Sequence, residues 1–309
     1  MRTPEFWTGH GLAARLLAPL GTLYGRSVAF KARHAHPYRS SAKVVCVGNL
    51  TAGGSGKTPV AIVLAKMLAG KGKKVFFLTR GYGGKEKGPA LVKPFHSARL
   101  MGDEALLLAR TAPTIVARDR AGGAAFAETL GADIIVMDDG HQNFALAKDL
   151  SLLVMDGEGF GNGLLVPAGP LREPLAQGLS RADAVVMMGD VVDLGDFRGP
   201  VLRARLKSEA DHLRGQSFFA FAGIGRPAKF LASLREAGIR VTGSRFFPDH
   251  YRYGRDDIAV LKKQGALITT EKDYVRLSDE ERAGIAVLPV SVQFDGDSAP
   301  LLDRLLAAV

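Results

Sequence analysis

The sequence predicts an α/β protein, a mostly parallel sheet flanked by helices with a second, smaller α/β domain beside it. Three observations carry this. Short Val/Ile-rich runs recur along the chain, separated by segments of helix length. The runs are apolar throughout instead of alternating, which suits strands buried on both faces. Past the middle, the stretch GDVVDLGDFRGP (189–200) loses apolar density and gains Gly and Asp, which marks a domain junction. At 309 residues the chain is long enough for two such domains.

The elements follow in order. GLAARLLAPLGTLY (11–24) is apolar but broken by Arg15 and Pro19, and passes into Arg26, Lys31, Arg33, His34, His36 and Arg39. It is too interrupted for a membrane span or a signal peptide. It reads either as a helix lying in a membrane interface or as a helix packed on the protein's own core. KVVCVGNL (43–50) is a buried strand, followed by a glycine loop and the helix PVAIVLAKMLAGKG, with Pro59 in its first turn. KKVFFLTR (73–80), TIVAR (114–118), DIIVMDD (133–139), SLLVMDG (151–157) and DAVVMMGD (183–190) continue the series. After the junction QSFFAFAGIGRP, IRVTGSRFF, GALITTEKD and IAVLPVSVQF read as strands of the smaller domain. The expected division is an N-terminal contact helix (1–40), a core domain (41–195) and a C-terminal α/β domain (196–309).

Composition narrows the function. Hydrophobic residues make up 47% and charged residues 23%, an ordinary globular balance. The single cysteine, Cys46, excludes a disulfide framework. A net charge of +10 favours an anionic partner: nucleic acid, an anionic membrane surface or a phosphorylated substrate. No RNA- or DNA-binding motif is present, and aromatic residues are sparse.

The chemistry lies first in TAGGSGKTP (51–59), a glycine loop between a strand and a helix, the setting of a Walker A loop. Its glycines let backbone N–H groups converge on phosphate oxygens, and the helix N-terminus adds unpaired donors. Thr51, Ala52, Gly53, Gly54, Ser55, Gly56, Lys57 and Thr58 would form the cradle for a nucleoside triphosphate. Lys57 would reach the β- and γ-phosphates, and Thr58 would offer a hydroxyl to Mg²⁺. Thr51 stands where the common pattern has glycine. DIIVMDDG supplies the second half of the site, an apolar strand ending in Asp138 and Asp139, as in a Walker B strand. The fold class is therefore P-loop NTPase-like.

Other stretches admit two readings each. Asp103 and Glu104 open a helix, where acids are favoured anyway. Arg172 sits in the Pro/Gly-rich loop VPAGPLREPL, a turn or a guanidinium held toward phosphate. Arg118 and Arg120 follow a strand end, at a ligand or at an exposed helix start. FFPDHYRYG holds Asp249 and His250, a surface loop or part of a site. TTEKDYVRL reads as a capped helix start.

Together these fragments resemble one family, the tetraacyldisaccharide 4′-kinases of lipid A biosynthesis in Gram-negative bacteria. EFW, VGNLTAGGSGKTP, LTRGYGG, GDEALLLA, VARDR, DDGHQN, PAGPLREP, GIGRP, FFPDHYRY and TTEKD follow the family's order from residue 5 to about 273. Threonine at the first Walker position fits the family's own loop. Two positions depart: the family commonly has Phe where this chain has His141, and His-His where it has His250-Tyr251, so Tyr251 is given no role.

The resemblance implies transfer of the γ-phosphate of ATP to the 4′-hydroxyl of a tetraacyldisaccharide 1-phosphate, with Mg²⁺. It implies two α/β/α domains and peripheral attachment to the cytoplasmic face of the bacterial inner membrane. The expected partners are the acylated disaccharide lipid and an anionic membrane surface, not nucleic acid. It points to Asp103 as base, paired with His250 from the second domain, and adds Lys57 to the catalytic set. Thr58, Glu104, Asp138 and Asp139 are the metal candidates; Arg80, Tyr82, Arg120 and Arg172 are the substrate candidates. A P-loop ATPase or GTPase of the switch type, and a non-enzymatic binding protein, are the competing readings.

Overall fold

The computed structural model describes residues 4–157 and 159–309. Its strands are β1 (Lys43–Gly48), β2 (Val75–Thr79), β3 (Ala90–Leu91), β4 (Thr114–Val116), β5 (Ile134–Asp138), β6 (Leu150–Asp156), β7 (Ala184–Met188), β8 (Val201–Ser208), β9 (Ser217–Ala222), β10 (Arg240–Phe246), β11 (Leu267–Thr270), β12 (Ile285–Leu288) and β13 (Val290–Phe294). They form a nine-stranded sheet of order β13-β8-β7-β6-β1-β5-β2-β4-β3 and a four-stranded sheet of order β10-β9-β11-β12. The small sheet is parallel throughout. In the large one, β3–β4 and β8–β13 are antiparallel and the other pairs parallel.

The central strands are buried from end to end in β2 and β5, which explains their unbroken apolar runs. The helix Lys57–Gly70 lies on one face through Val60, Ala61, Leu64, Ala65 and Leu68, within the cluster that includes Val45, Phe77 and Val136. On the other face Cys46, Leu78, Ile135 and Met137 meet the helix Arg120–Thr129 through Ala124 and Ala127. Cys46 is free and buried, a core residue.

The sheet also fixes the site. β1 pairs with β5 on one side and β6 on the other, so the chain reverses its winding there. Crevices at such reversals, beyond the carboxyl ends of the strands, are where α/β proteins bind ligands. The register sets Asp138 beside Val47, next to the glycine loop that follows β1.

Sheet membership differs from the expected division at 195/196 in two places. Val201–Ser208, which the sequence reading passed over, is a strand of the large sheet. Its exposed and buried positions are mixed, so it lacks the apolar run of the central strands. IAVLPVSVQF is two strands, not one. Pro289 cannot donate to a ladder, and the chain leaves the small sheet there to pair with β8. The chain thus crosses between the sheets at 209–216 and at Pro289, and the two crossings touch: Glu209 N donates to Pro289 O at 2.9 Å. Lys229 Nζ also spans the two units, 2.9 Å from Asp156 at the end of β6, with Arg226 on the same carboxylate.

The N-terminal helix runs Leu12–Arg33, with Pro19 inside it. Its small residues face inward: Gly21 and Gly25 lie so close to Leu165 that a Cβ at either would clash. Its leucines face outward, with Leu12 at 74% and Leu16 at 69% exposed and Leu20 and Leu23 over half exposed. The helix does pack on the protein, but through its glycines, and the apolar face stays open. Among the described residues no helix is long and apolar enough to cross a membrane.

Candidate active site

The glycine loop is held from beneath. Buried Asn49 donates to Thr51 O at 2.7 Å and to Ser55 Oγ at 3.0 Å. Ala52 N donates to Pro170 O at 2.7 Å, and Arg172 N to Leu50 O at 2.7 Å, so PAGPLREP is laced to the loop. Gly56 caps the helix Lys57–Gly70 at φ 85°, a backbone region in which glycine alone is unstrained. Gly53 and Gly54 have open space around them, as a phosphate cradle requires.

Charge gathers at the mouth of this loop. Lys57 Nζ lies 3.5 Å from Asp139 Oδ1, and Arg172 donates to the same oxygen at 2.8 Å. Asp139 adopts φ 53°, which turns its side chain off the strand toward these cations. Burial pushes the Asp139 carboxyl up, but Lys57 and Arg172 outweigh it and hold the group down at about 2. Asp138 behaves oppositely. Burial and the charges of Glu104 and Asp139 push it up to about 7, against Lys57 and the Thr58 hydroxyl. Thr58 Oγ1 donates to Asp138 Oδ2 at 3.1 Å, while Asp138 Oδ1 is buried without a partner among the described residues.

A hard divalent cation fits that unfilled oxygen. Asp138 and Thr58 offer oxygen ligands at a place short of positive charge. Among the described residues no three His, Cys, Asp or Glu side chains could hold a metal ion together. Mg²⁺ needs no such cage, since it takes one or two protein ligands and fills its sphere with phosphate and water oxygens. Glu104 lies near enough for its charge to raise Asp138, while its Oε1 pairs with Lys272 Nζ at 3.1 Å.

Across from the loop, the two sheets meet at Asp103. His250 Nδ1 is 3.0 Å from Asp103 Oδ2. Arg276 donates to the same oxygen through Nε at 2.8 Å and Nη2 at 2.5 Å. Asp273 fixes Arg276 in turn at 2.7 Å and also accepts from Tyr253. Burial pushes the Asp103 carboxyl up, yet the His250 hydrogen bond and the charges of Lys272 and Arg276 hold it well below the usual carboxylate range. His250 sits at φ 58°, strained backbone for a histidine.

The structure therefore brings Lys57, Thr58, Asp138, Asp139 and Arg172 together at the loop, and Asp103, Glu104 and His250 at the junction of the sheets. The ring of Tyr82 meets His250 at 5.1 Å. Arg80 is exposed at the end of β2. Arg120 is buried, not an exposed helix start. It donates to Ala117 O, its Nε has no partner among the described residues, and burial pushes its guanidinium down to about 10 against the pull of Asp139 and Asp138. Sequence reasoning missed Arg276, Asp273 and Lys272, all inside the stretch read as a capped helix start. The cap is present, with Thr270 Oγ1 accepting from Asp273 N, but Lys272 and Arg276 are four apart and so reach across the same gap.

His141 lies behind the aspartates, fully buried. Nε2–H donates to Gly178 O at 3.0 Å, which leaves Nδ1 to accept from Ser151 Oγ at 3.3 Å. Burial, then the charges of Lys148 and Arg181, push its imidazole down to about 3. The unfolded chain binds a proton near the ordinary histidine value of about 6.5, so stability is whole above that pH and falls as pH drops toward 3. The loss should reach the order of 4 kcal/mol at the acid end. Urea unfolding of wild type and His141→Phe between pH 7 and 4 tests this: the variant should lack that part of the acid slope, and parallel curves would refute it.

The family model for tetraacyldisaccharide-1-P 4′-kinase matches residues 13–309. A tetraacyldisaccharide 4′-kinase of Paramagnetospirillum magneticum is 50% identical, covering 99% of both chains. One of Rhodospirillum rubrum is 48% identical over 99% of this chain and 98% of its own. A crystal structure of LpxK from Aquifex aeolicus in complex with ATP superposes with a TM-score of 0.80 at 29% identity, covering 96% of this chain and all of that one.

Proposed function

We infer the chemistry of the site from one premise: this chain belongs to the tetraacyldisaccharide-1-P 4′-kinase family. It is an ATP-dependent lipid kinase that moves the γ-phosphate of ATP to the 4′-hydroxyl of a tetraacyldisaccharide 1-phosphate. The observation that carries this reading is the facing of two built parts. A glycine loop with Lys57, Thr58 and Asp138 lies at the carboxyl edge of the large sheet, and an Asp103–His250 pair is assembled from both units.

Phosphoryl transfer needs alignment, charge neutralisation and a path for the acceptor's proton. Backbone N–H groups of residues 51–58 hold the triphosphate, and Lys57 neutralises its far end. When ATP enters, phosphate oxygens compete with Asp139 for Lys57 and Arg172, which places Arg172 on the phosphates. Thr58 and Asp138 would hold Mg²⁺, with Asp139 and Glu104 beside them; the ion would draw charge off the transferring group. The sugar hydroxyl gives its proton to the Asp103–His250 pair. Because Arg276 and Lys272 keep Asp103 ionised, the proton settles on the imidazole and Asp103 steadies the resulting charge. Arg80 and Tyr82, on the β2 side of His250, receive the disaccharide. Buried Arg120 offsets the aspartates from below.

The acceptor comes from a bilayer, and the open leucine face of Leu12–Arg33, with Arg15, Arg26, Lys31 and Arg33 on the same helix, suits an interfacial helix on an anionic surface. This supports peripheral attachment to an anionic membrane surface, which we propose to be the cytoplasmic face of the inner membrane.

The test is transfer from γ-labelled ATP to detergent-dispersed tetraacyldisaccharide 1-phosphate. Wild type should label the lipid, and Lys57→Ala should lower the rate by roughly 10²–10³. Label released only as free phosphate, with or without lipid, would show a switch NTPase instead.

A further inference from the structure

Between Tyr82 and Gly102 the chain forms a loop that adds the short edge strand β3 to the large sheet and returns to the helix that carries Asp103. The base of this loop is pinned. Lys85 N and Glu86 N each donate to Leu100 O at 2.9 Å, and Arg118 N donates to Lys87 O at 2.7 Å. Its body is packed too, with Ala90 and Val92 against buried Met101 and Val116.

The tip is a tight turn, Lys93-Pro94-Phe95-His96. His96 N donates to Lys93 O at 3.0 Å, and Lys93 N donates back to His96 Nδ1 at 3.1 Å. Pro94 presets the backbone at the turn's second position. Phe95, at the third, is 83% exposed, the most exposed large apolar side chain among the described residues. Scattered exposed apolar residues are ordinary on a protein surface. This one differs because the turn's own bonds hold it outward and a packed base holds the turn.

The exposed charges of the loop are basic. Lys85, Lys87, Lys93 and Arg99 are all exposed. The one carboxylate of the loop, Glu86, is tied to its own backbone turn, accepting from Lys87 N and Gly88 N at 2.8 Å. An aromatic ring presented rigidly on a loop whose exposed charges are basic matches an anionic bilayer surface: aromatic side chains settle at headgroup level, and basic ones gain from the negative potential there. A rigid turn loses little freedom on docking.

We propose that the Lys93–His96 turn is a second membrane anchor, separate from the N-terminal helix, in which Phe95 enters the headgroup layer of an anionic bilayer and the neighbouring basic side chains bind lipid phosphate. The proposal rests on the reading of a membrane-borne acceptor. It adds that the core unit itself, beside Tyr82 and Asp103, touches the bilayer.

The chain has one tryptophan, Trp7, so Trp7→Phe with Phe95→Trp places a single reporter at the tip. Its emission should shift to the blue on vesicles of phosphatidylglycerol and phosphatidylcholine, and brominated acyl chains should quench it. In the otherwise native chain, Phe95→Asp should lower sedimentation with those vesicles roughly fivefold at low salt, while leaving transfer to detergent-dispersed acceptor unchanged. Water-like emission from protein that has bound the vesicles would overturn the proposal, as would equal sedimentation of Phe95→Asp. A shift equally large on pure phosphatidylcholine would overturn the role given to charge. Failure of wild type to label the acceptor would count against the kinase reading and leave the fluorescence result standing by itself.

Discussion

Replacing Asp103 with Asn is expected to lower kcat by roughly 10²–10⁴ while ATP binding stays near normal. Asp103 is the point where the two units share a carboxylate: His250 and Arg276 approach one oxygen, while the other accepts from Glu104 N at 2.9 Å. The amide keeps the shape and removes the charge that would steady a protonated His250. His250→Ala should cost a similar factor. The double variant should be little worse than either single one, because the two residues act as a unit. ATP affinity by nucleotide displacement and turnover by lipid labelling separate binding from chemistry. Near-normal turnover in either single variant, with ATP still bound, would remove the pair from the mechanism.

The second large effect is on stability. Arg276→Met should destabilise the protein by about 3–5 kcal/mol, because it strands two buried carboxylates. The Arg276 and Asp103 side chains are each 5% exposed, and Asp273 is fully buried. Adding Asp103→Asn to Arg276→Met should recover part of the loss, since one stranded charge then disappears. Denaturant unfolding of the four proteins gives the coupling directly. Simple additivity would mean that Arg276 and Asp103 do not depend on each other.

The parts of the site that lie close along the chain were legible in the sequence. Gly56-Lys57-Thr58 between a strand and a helix specifies its own geometry, because backbone and helix end do most of the work. Asp138 and Asp139 at a strand end become a partner once a parallel sheet sets that end beside the loop. Arg276 carried no such signal. Its role depends on a residue 173 positions away, and locally it is one arginine after a capped turn. Arg120 was legible as a helix start but not as a buried one, since burial depends on the tertiary packing around it and leaves no local signal. Val201–Ser208 escaped notice because a strand near the sheet edge, with mixed exposure, has no continuous apolar run. Pro289 was the missed warning that IAVLPVSVQF could not be a single strand.

That proline has a consequence for how the molecule is assembled. The chain enters the small unit after β8 and re-enters the large sheet at β13, and these two strands are partners in one antiparallel ribbon. Covalently the small unit is an insert, an excursion from a fold that resumes where it stopped. A cassette whose two ends lie a hydrogen bond apart can be cut out and bridged by a short turn, leaving the large sheet with every strand it now has. It is also tethered along a single edge, so any swing must carry His250, Lys272 and Arg276 as one rigid set. The proposed acid–base partner and the counter-charges of the core aspartate would arrive and depart together.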